Sequence, residues 1–353
     1  MPVQSRLSLA DAQRHFRPQT TYLDTATYGL APVEATEAVL AAERDRAHGR
    51  MDAKGFDDAI STSRAAFARL VGVPVGRVAV GSQASQFVGL VAASVFDGAT
   101  VLVADGDFSS VLFPLAVQHE RGVQLRSVPL EGLIDAIEPD VDLVAVSVVQ
   151  SADGRVTDIA ELGRVAVAHG VTTLVDATQA AGWLPLDATR IDYLVASGYK
   201  WLLAPKGTCF LTVPADRSYR VRPAAPGMYA GADVWSSIYG LPLRLAGDAR
   251  RFDLSPAWAS WAGQAPAFEL VEAVGVEAIH AHDVGLANRF RDGLELPPGD
   301  SAIVSIAVDD DGVRRLAAAG VVTAVRAGRI RCAFHLYNTA EDVDRALAAL
   351  TGR

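Results

Sequence analysis

Between residues 77 and 213, short apolar runs alternate with segments of helical spacing, and this limits the fold more than any other feature of the chain. RVAVG (77–81) reads as a strand followed by helical SQASQFVGLVAASVF, and TVLVAD (100–105) is followed by helical VLFPLAVQHERG. DLVAVSVV (142–149) leads into helical DIAELGRVAVAHG, and TTLVDA (172–177) into a short helix. DYLVAS (192–197) and TCFLTV (208–213) read as two more strands. Strands that are apolar along their whole length need cover on both faces, which predicts an α/β fold with a mostly parallel sheet between helical layers. Helical spacing also marks 33–48, 56–72 and 256–296. The tail predicts strand AIVSIAV, helix DDGVRRLAAAG, strands within VVTAVRAGRIRCAF and a closing helix TAEDVDRALAALTG, with Thr339 and Asp342 at its start. The expected organisation is a large α/β domain over 15–255 and a small α+β domain over 256–353, joined by residues 1–14.

Composition removes several function classes. The 353 residues carry 32 basic and 41 acidic side chains, a net charge of −9, which disfavours nucleic acid or an anionic membrane as partner. No stretch approaches the ~18 uninterrupted apolar residues of a membrane span, and MPVQSRLSLADAQRHF lacks the apolar core of a signal peptide. Cys209 and Cys332 are the only cysteines, so neither a disulfide framework nor a zinc cage is expected, and a cytoplasmic location fits. The acidic run 309–311 reads as a solvated loop, and no metal site is expected.

Ligands of open α/β sheets bind beyond the carboxyl ends of the strands. Asp176 ends TTLVDA with Gln179 close behind, Ser197, Tyr199 and Lys200 follow DYLVAS, and Phe108 follows TVLVAD. Gln83, Ala84 and Ser85 stand where a strand turns into a helix, a position suited to an anion. The lysines are Lys54, Lys200 and Lys206, of which Lys54 and Lys206 sit in polar, turn-like surroundings. A lysine directly after a buried strand is costly to desolvate, and burial makes its amine nucleophilic. A lysine imine with an aspartate for a pyridinium nitrogen is the pattern of a pyridoxal phosphate site. Asp176 and Ser197 also suit simple helix capping.

VDATQAAGWLPLD (175–187) and DYLVASGYKWLLAPKGTCFL (192–211) resemble the class V aminotransferase family of fold type I pyridoxal phosphate enzymes. TYLDTATYGLAP (21–32) and IRCAFHLYNTAEDVDRAL (330–347) look like its N-terminal and C-terminal motifs, so the resemblance spans nearly the whole chain and points to its cysteine desulfurase, isopenicillin N epimerase-like and C–S lyase branch. It implies a seven-stranded, mostly parallel sheet in the large domain. By position, Lys200 would hold the cofactor as an aldimine, Asp176 would pair with the pyridine nitrogen and Gln179 would face the phenolic oxygen. Ser197, Gln83, Ala84 and Ser85 would surround the phosphate, and Phe108 would stack on the ring. Arg331 would clamp the substrate α-carboxylate. Gln150, Tyr28 and Tyr229 would line the substrate side, and Ser255 would reach the phosphate of the neighbouring subunit, implying a homodimer with shared sites. His335, Trp183 and Trp201 read as structural.

Two departures bear on the reaction. Tyr199 stands before the lysine where the family often has histidine, and the segment VVTAVRAGRIR (321–331) lacks the cysteine that desulfurases carry there. The leading expectation is therefore a lyase that β-eliminates a cysteine-derived amino acid through a Cα carbanion. An aminotransferase of secondary metabolism and a cofactor-binding protein without turnover are the alternatives.

Overall fold

The computed structural model describes residues 7–352; residues 1–6 and 353, which belong to the expected small domain, lie outside the described residues. Helix α1 (Leu9–Gln13) and strand β1 (Thr21–Tyr22) precede two longer helices, α2 (Val33–Ala47) and α3 (Asp57–Leu70). The alternating region then gives β2 (Val78–Gly81), α4 (Ala84–Ala92), β3 (Thr100–Ala104), α5 (Ser109–Ala116), β4 (Gln124–Val128) and β5 (Leu143–Ser147). It continues through α6 (Ile159–His169), β6 (Thr172–Asp176), β7 (Tyr193–Ser197) and β8 (Cys209–Thr212). These strands form one seven-stranded sheet in the order β2-β8-β7-β6-β5-β3-β4. Only β8 runs against its neighbours. The apolar runs β2, β5, β7 and β8 are buried at every position, as a sheet covered on both faces requires.

The sheet departs from the sequence reading at two places. The seventh strand, β4, lies at the sheet edge with Gln124 and Ser127 exposed, so it lacks the apolar run that marks the others. The short helix expected after β6 is a series of turns. Gly182 takes φ 114° against the Trp201 carbonyl, where a Cβ would sit 2.3 Å from the oxygen, and that backbone cannot continue a helix.

The C-terminal part contains α7 (Trp258–Val274), α8 (Val276–Asp292), β9 (Ile303–Ile306), α9 (Asp310–Ala318), β10 (Val321–Val322), β11 (Ala324–Arg326), β12 (Arg329–Ala333) and α10 (Ala340–Thr351). Strands β11, β12 and β9 make an antiparallel sheet, and β10 pairs in parallel with β1. The acidic run begins a helix rather than a loop: Asp309 caps α9 by accepting from Gly312 N, with Asp310 and Asp311 in the first turn. Thr339 and Asp342 form the reciprocal capping pair of α10.

Helix α7 packs against the central sheet. Trp261 and Phe268 of α7 meet Phe210 of β8 edge-on, with ring centroids 5.3 and 5.6 Å apart. A separate apolar cluster collects Leu286, Phe290, Val304, Ile330, Phe334 and Val343 beneath the small sheet. Among the described residues no helix is long and apolar enough to cross a membrane.

Candidate active site

The parallel strands β3, β5, β6 and β7 end on one edge, and β3 and β5 flank the point where strand order reverses. A cavity of about 240 Å³ opens there, lined by Gln83, Ala84, Ser85, Phe108, Ser147, Ser151, Asp176, Gln179, Ser197, Tyr199, Lys200 and Lys206, among others. The sheet thus brings together residues that sequence spacing could only pair by strand ends.

Lys200 and Asp176 are both buried at the floor. Burial lowers the Lys200 amine to about 8, opposed by the Asp176 charge and helped by Arg331 and Arg326. Among the described residues no carboxylate lies within ion-pairing distance of Lys200; its Nζ is 5.4 Å from the centroid of Phe108 and 5.7 Å from that of Tyr199. Burial raises the Asp176 carboxyl, partly offset by hydrogen bonds from Thr178, whose N–H donates to Oδ1 at 2.8 Å. A buried amine and a buried acid in one cavity, both with charge disfavoured, suit a ligand that carries charge of its own.

The wall beside them is ordered. Gln179 donates through Nε2 to Ala26 O at 2.9 Å and Ser151 Oγ at 3.1 Å, while Trp201 Nε1 donates to its Oε1 at 2.9 Å. Thr178 Oγ1 accepts from Ser197 N at 3.0 Å. On the opposite side α4 starts at the cavity. Its N-cap, Gln83, makes no side-chain capping bond, so the first-turn N–H groups of Ala84 and Ser85 have no cap.

Arg331 is 1% exposed and reaches the cavity through Ser151. Its Nη1 donates to Ser151 O at 2.7 Å and Oγ at 3.0 Å, and its Nη2 to Thr27 Oγ1 at 2.7 Å and Asp24 Oδ1 at 3.3 Å. Its Nε is buried with no partner among the described residues. Burial lowers the guanidinium pKa, against the pull of Asp24.

Gln150, Tyr229, Tyr28 and Ser255 are not among the lining residues. Gln150 does not line the cavity; its Nε2 donates to Asp107 at 3.2 Å. Tyr229 is buried away from it, donating to Asp57 at 3.1 Å and accepting from Trp258 Nε1 at 3.0 Å. Tyr28 does not line the cavity but touches two residues that do, accepting from Lys206 N at 2.9 Å, with its ring 5.6 Å from that of Tyr199. Ser255 is exposed and absent from its own chain's cavity lining. Lys206, expected to be solvated, is exposed but borders the cavity, with Nζ 5.7 Å from the Tyr199 ring.

The profile of the family described as "Aminotransferase class-V" matches residues 22–313. The chain belongs to the class-V aminotransferase family. Isopenicillin N epimerase of Streptomyces clavuligerus is 28% identical over 387 residues, covering 95% of this chain and 96% of the epimerase. The uncharacterized aminotransferase YcbU of Bacillus subtilis is 28% identical over 82% of this chain and 83% of its own length. The solved cysteine desulfurase CsdA from Escherichia coli superposes with a TM-score of 0.84 at 21% identity, over 98% of each chain. The cystine C–S lyase C-DES superposes with a TM-score of 0.84 at 23% identity, over 94% of this chain and 97% of the lyase. Those two structures share the pyridoxal phosphate fold type I architecture, and this class-V chain is a pyridoxal phosphate-dependent enzyme.

The cavity fits that cofactor on its own donors. It supplies a desolvated amine, a carboxylate for a ring cation, an uncapped helix N-terminus for a phosphate, and an aromatic ring beside the amine. Sequence reading missed Asp107 in this class-V site. The buried carboxylate accepts from Phe108 N at 2.6 Å, Ser147 N at 2.7 Å, Ser147 Oγ at 2.5 Å and Gln150 Nε2 at 3.2 Å. It ties the β3 end to the β5 end and holds the backbone that presents Phe108. Its only sequence signal is a second acid, directly before Phe108, in DGDF.

Proposed function

We propose that this enzyme is a lyase that eliminates the sulfur substituent of a cysteine-derived amino acid, with Lys200 as the residue that bonds the cofactor and moves the Cα proton. The observation that carries the reading is the buried Lys200 amine, lowered to about 8, in one cavity with Asp176. When bound, pyridoxal phosphate supplies an electron-withdrawing ring that stabilises negative charge developing at the substrate Cα. Asp176 would balance a positive charge on the ring nitrogen, Gln179 would meet the phenolic oxygen, and Ala84, Ser85 and Ser197 would hold the phosphate. Phe108 would cover the ring face. Arg331 would orient the α-carboxylate, exchanging its bonds to Ser151 for bonds to substrate. The amine of Lys200 takes the Cα proton, the Cβ–S bond breaks with its electron pair going to sulfur, and the thiol leaves with a proton. The remaining enamine takes up one water and gives pyruvate and ammonia.

Cysteine chemistry on the protein fits poorly, which separates this reading from desulfurase-type persulfide transfer. Cys209 and Cys332 are both buried; burial pushes the Cys332 thiol to about 12 and raises Cys209 further, so neither offers a thiolate. The structural likeness to a cystine C–S lyase supports the fold that such a reaction needs. A second reading, transamination, is favoured by the YcbU similarity.

A homodimer is part of the proposal. Ser255 is exposed, and Tyr219, Tyr239, Leu241 and Leu243 present apolar surface to solvent. Two unpaired cysteines support a cytoplasmic location. Within each subunit the proposed division keeps a large cofactor-binding unit and a small C-terminal one.

The test is a panel of cysteine S-conjugates and common amino acids with the purified holoenzyme, measuring pyruvate, free thiol, keto acid and racemised substrate separately. Equimolar pyruvate and thiol supports elimination; keto acid formation dependent on a second oxo acid would replace it with transamination.

A further inference from the structure

The small antiparallel sheet places three guanidinium side chains on one face. Its register pairs Ala324 with Arg331 and Arg326 with Arg329, so Arg326, Arg329 and Arg331 share a side. The hairpin turn fixes this arrangement, because Ala327 and Gly328 both take left-handed φ values of 47° and 73°. Arg329 turns away, donating to Ser305 Oγ at 3.2 Å and to Ser305 O at 3.1 Å. Arg326 turns toward Arg331. Its Nη2 donates to Thr27 Oγ1 at 3.0 Å, and that oxygen also accepts from Arg331 Nη2 at 2.7 Å. The two guanidinium nitrogens therefore fall within about 6 Å of each other, a spacing at which like charges repel unless an anion balances them.

The balance of charge on this side of the cavity is incomplete. Asp24 pairs with Arg331 at 3.3 Å, and among the described residues no carboxylate pairs with Arg326. The charge of Arg326 is felt at both Lys200 and Arg331, where it disfavours their protonated forms. Arg326 is exposed while Arg331 is buried against Ser151, so the pair runs from the interior beside the cavity out to solvent. A substrate with one carboxylate satisfies Arg331 and leaves Arg326 facing water.

We propose that Arg326 is a specificity-determining residue that binds a second anionic group on the substrate side chain, while Arg331 binds the α-carboxylate. The substrate class is a dianionic amino acid, and, resting on the lyase reading above, a cysteine S-conjugate whose sulfur substituent carries a carboxylate or a comparable oxyanion. The carboxylate would take a guanidinium edge of Arg326 in the geometry that arginine favours. It would also neutralise the repulsion between the paired arginines at the moment of binding, so a neutral isostere forfeits both effects.

Spectral titration of the holoenzyme tests this without requiring turnover. The ligands are S-carboxymethyl-L-cysteine, its neutral amide S-carbamoylmethyl-L-cysteine, and the cationic S-(2-aminoethyl)-L-cysteine, each read as a Kd from the change in the cofactor band. The carboxymethyl ligand is expected to bind at least about tenfold more tightly than the amide. Arg326→Gln should abolish that preference, Arg326→Lys should restore part of it, and Arg326→Glu should shift it toward the aminoethyl ligand. Equal Kd values for the acid and the amide in the native protein overturn the proposal, as does a preference that survives Arg326→Gln. Pyruvate release in parallel reports on the reaction class alone. An acid preference without pyruvate upholds Arg326 and fails the lyase reading, whereas pyruvate without an acid preference does the reverse.

Discussion

The indole N–H of Trp201 donates to Oε1 of Gln179 at 2.9 Å, and the Gln179 carbonyl accepts from Trp183 Nε1 at 2.6 Å. The residue after Lys200 thus fixes an amide in the adjoining wall of the cavity. Trp201 is itself held from behind, where His335 Nε2 lies 3.0 Å from its carbonyl oxygen and Nδ1 lies 2.8 Å from buried Asp283. A chain of hydrogen bonds therefore runs from α8 and the segment after β12 to the cavity wall.

Trp201→Phe removes one donor from a buried acceptor and should lower the unfolding free energy by about 1–3 kcal/mol, measured from denaturant midpoints. It should also shift the visible cofactor band, because Gln179 borders the cavity. A destabilised protein with an unmoved band would remove Gln179 from the cofactor's surroundings.

Asp107→Ala orphans the buried N–H of Ser147 and the part-buried N–H of Phe108, and should cost about 3 kcal/mol. Asp107→Asn should fall between it and the native protein, since one amide oxygen still accepts. Chemical denaturation of all three checks the order; a cost under about 1 kcal/mol for the alanine variant would mean the junction relaxes freely.

Lys200 gives the cofactor-free protein a pH signature. Its pKa falls from 10.5 to about 8 on folding, so the unfolded chain holds the extra proton between those values and stability must rise with pH there. Below pH 8 both states are protonated and the full burial cost, about 3 kcal/mol, is present; above pH 10.5 it is gone. Lys200→Met should therefore be more stable than the native apoprotein at pH 7, with the gap closing as pH passes from 8 to 10.5. Thermal or denaturant unfolding across that range checks it; a constant gap would contradict the burial of a charged amine.

Six of the seven central strands were legible because burial on both faces writes itself as continuous apolar runs. The edge strand β4 was not, since QLRSV at a sheet margin carries no such run. Within the site, residues at strand ends such as Asp176, Ser197 and Lys200 could be located from pattern, and family resemblance supplied their expected roles. Asp107 could not be read, because a buried acid that serves only backbone donors has the sequence appearance of a loop aspartate. Tyr229 shows the opposite case: its aromatic ring fits a cavity mouth in sequence, but the ring is buried and half-buried Asp57 and Trp258 bind its hydroxyl away from the cavity. That Arg326 and Arg331 share a face and both reach Thr27 depends on hairpin register, which alternation alone does not fix.

The central claim is that the buried Lys200 amine bonds the cofactor. Borohydride reduction of the holoenzyme, followed by peptide mass mapping, tests it directly, and with Lys54, Lys200 and Lys206 as the lysines of the chain the assignment is unambiguous. The account predicts a reduced cofactor adduct on the peptide containing Lys200 and its loss in Lys200→Ala. An adduct on Lys206 or Lys54, or one that persists in the Lys200→Ala protein, would contradict it.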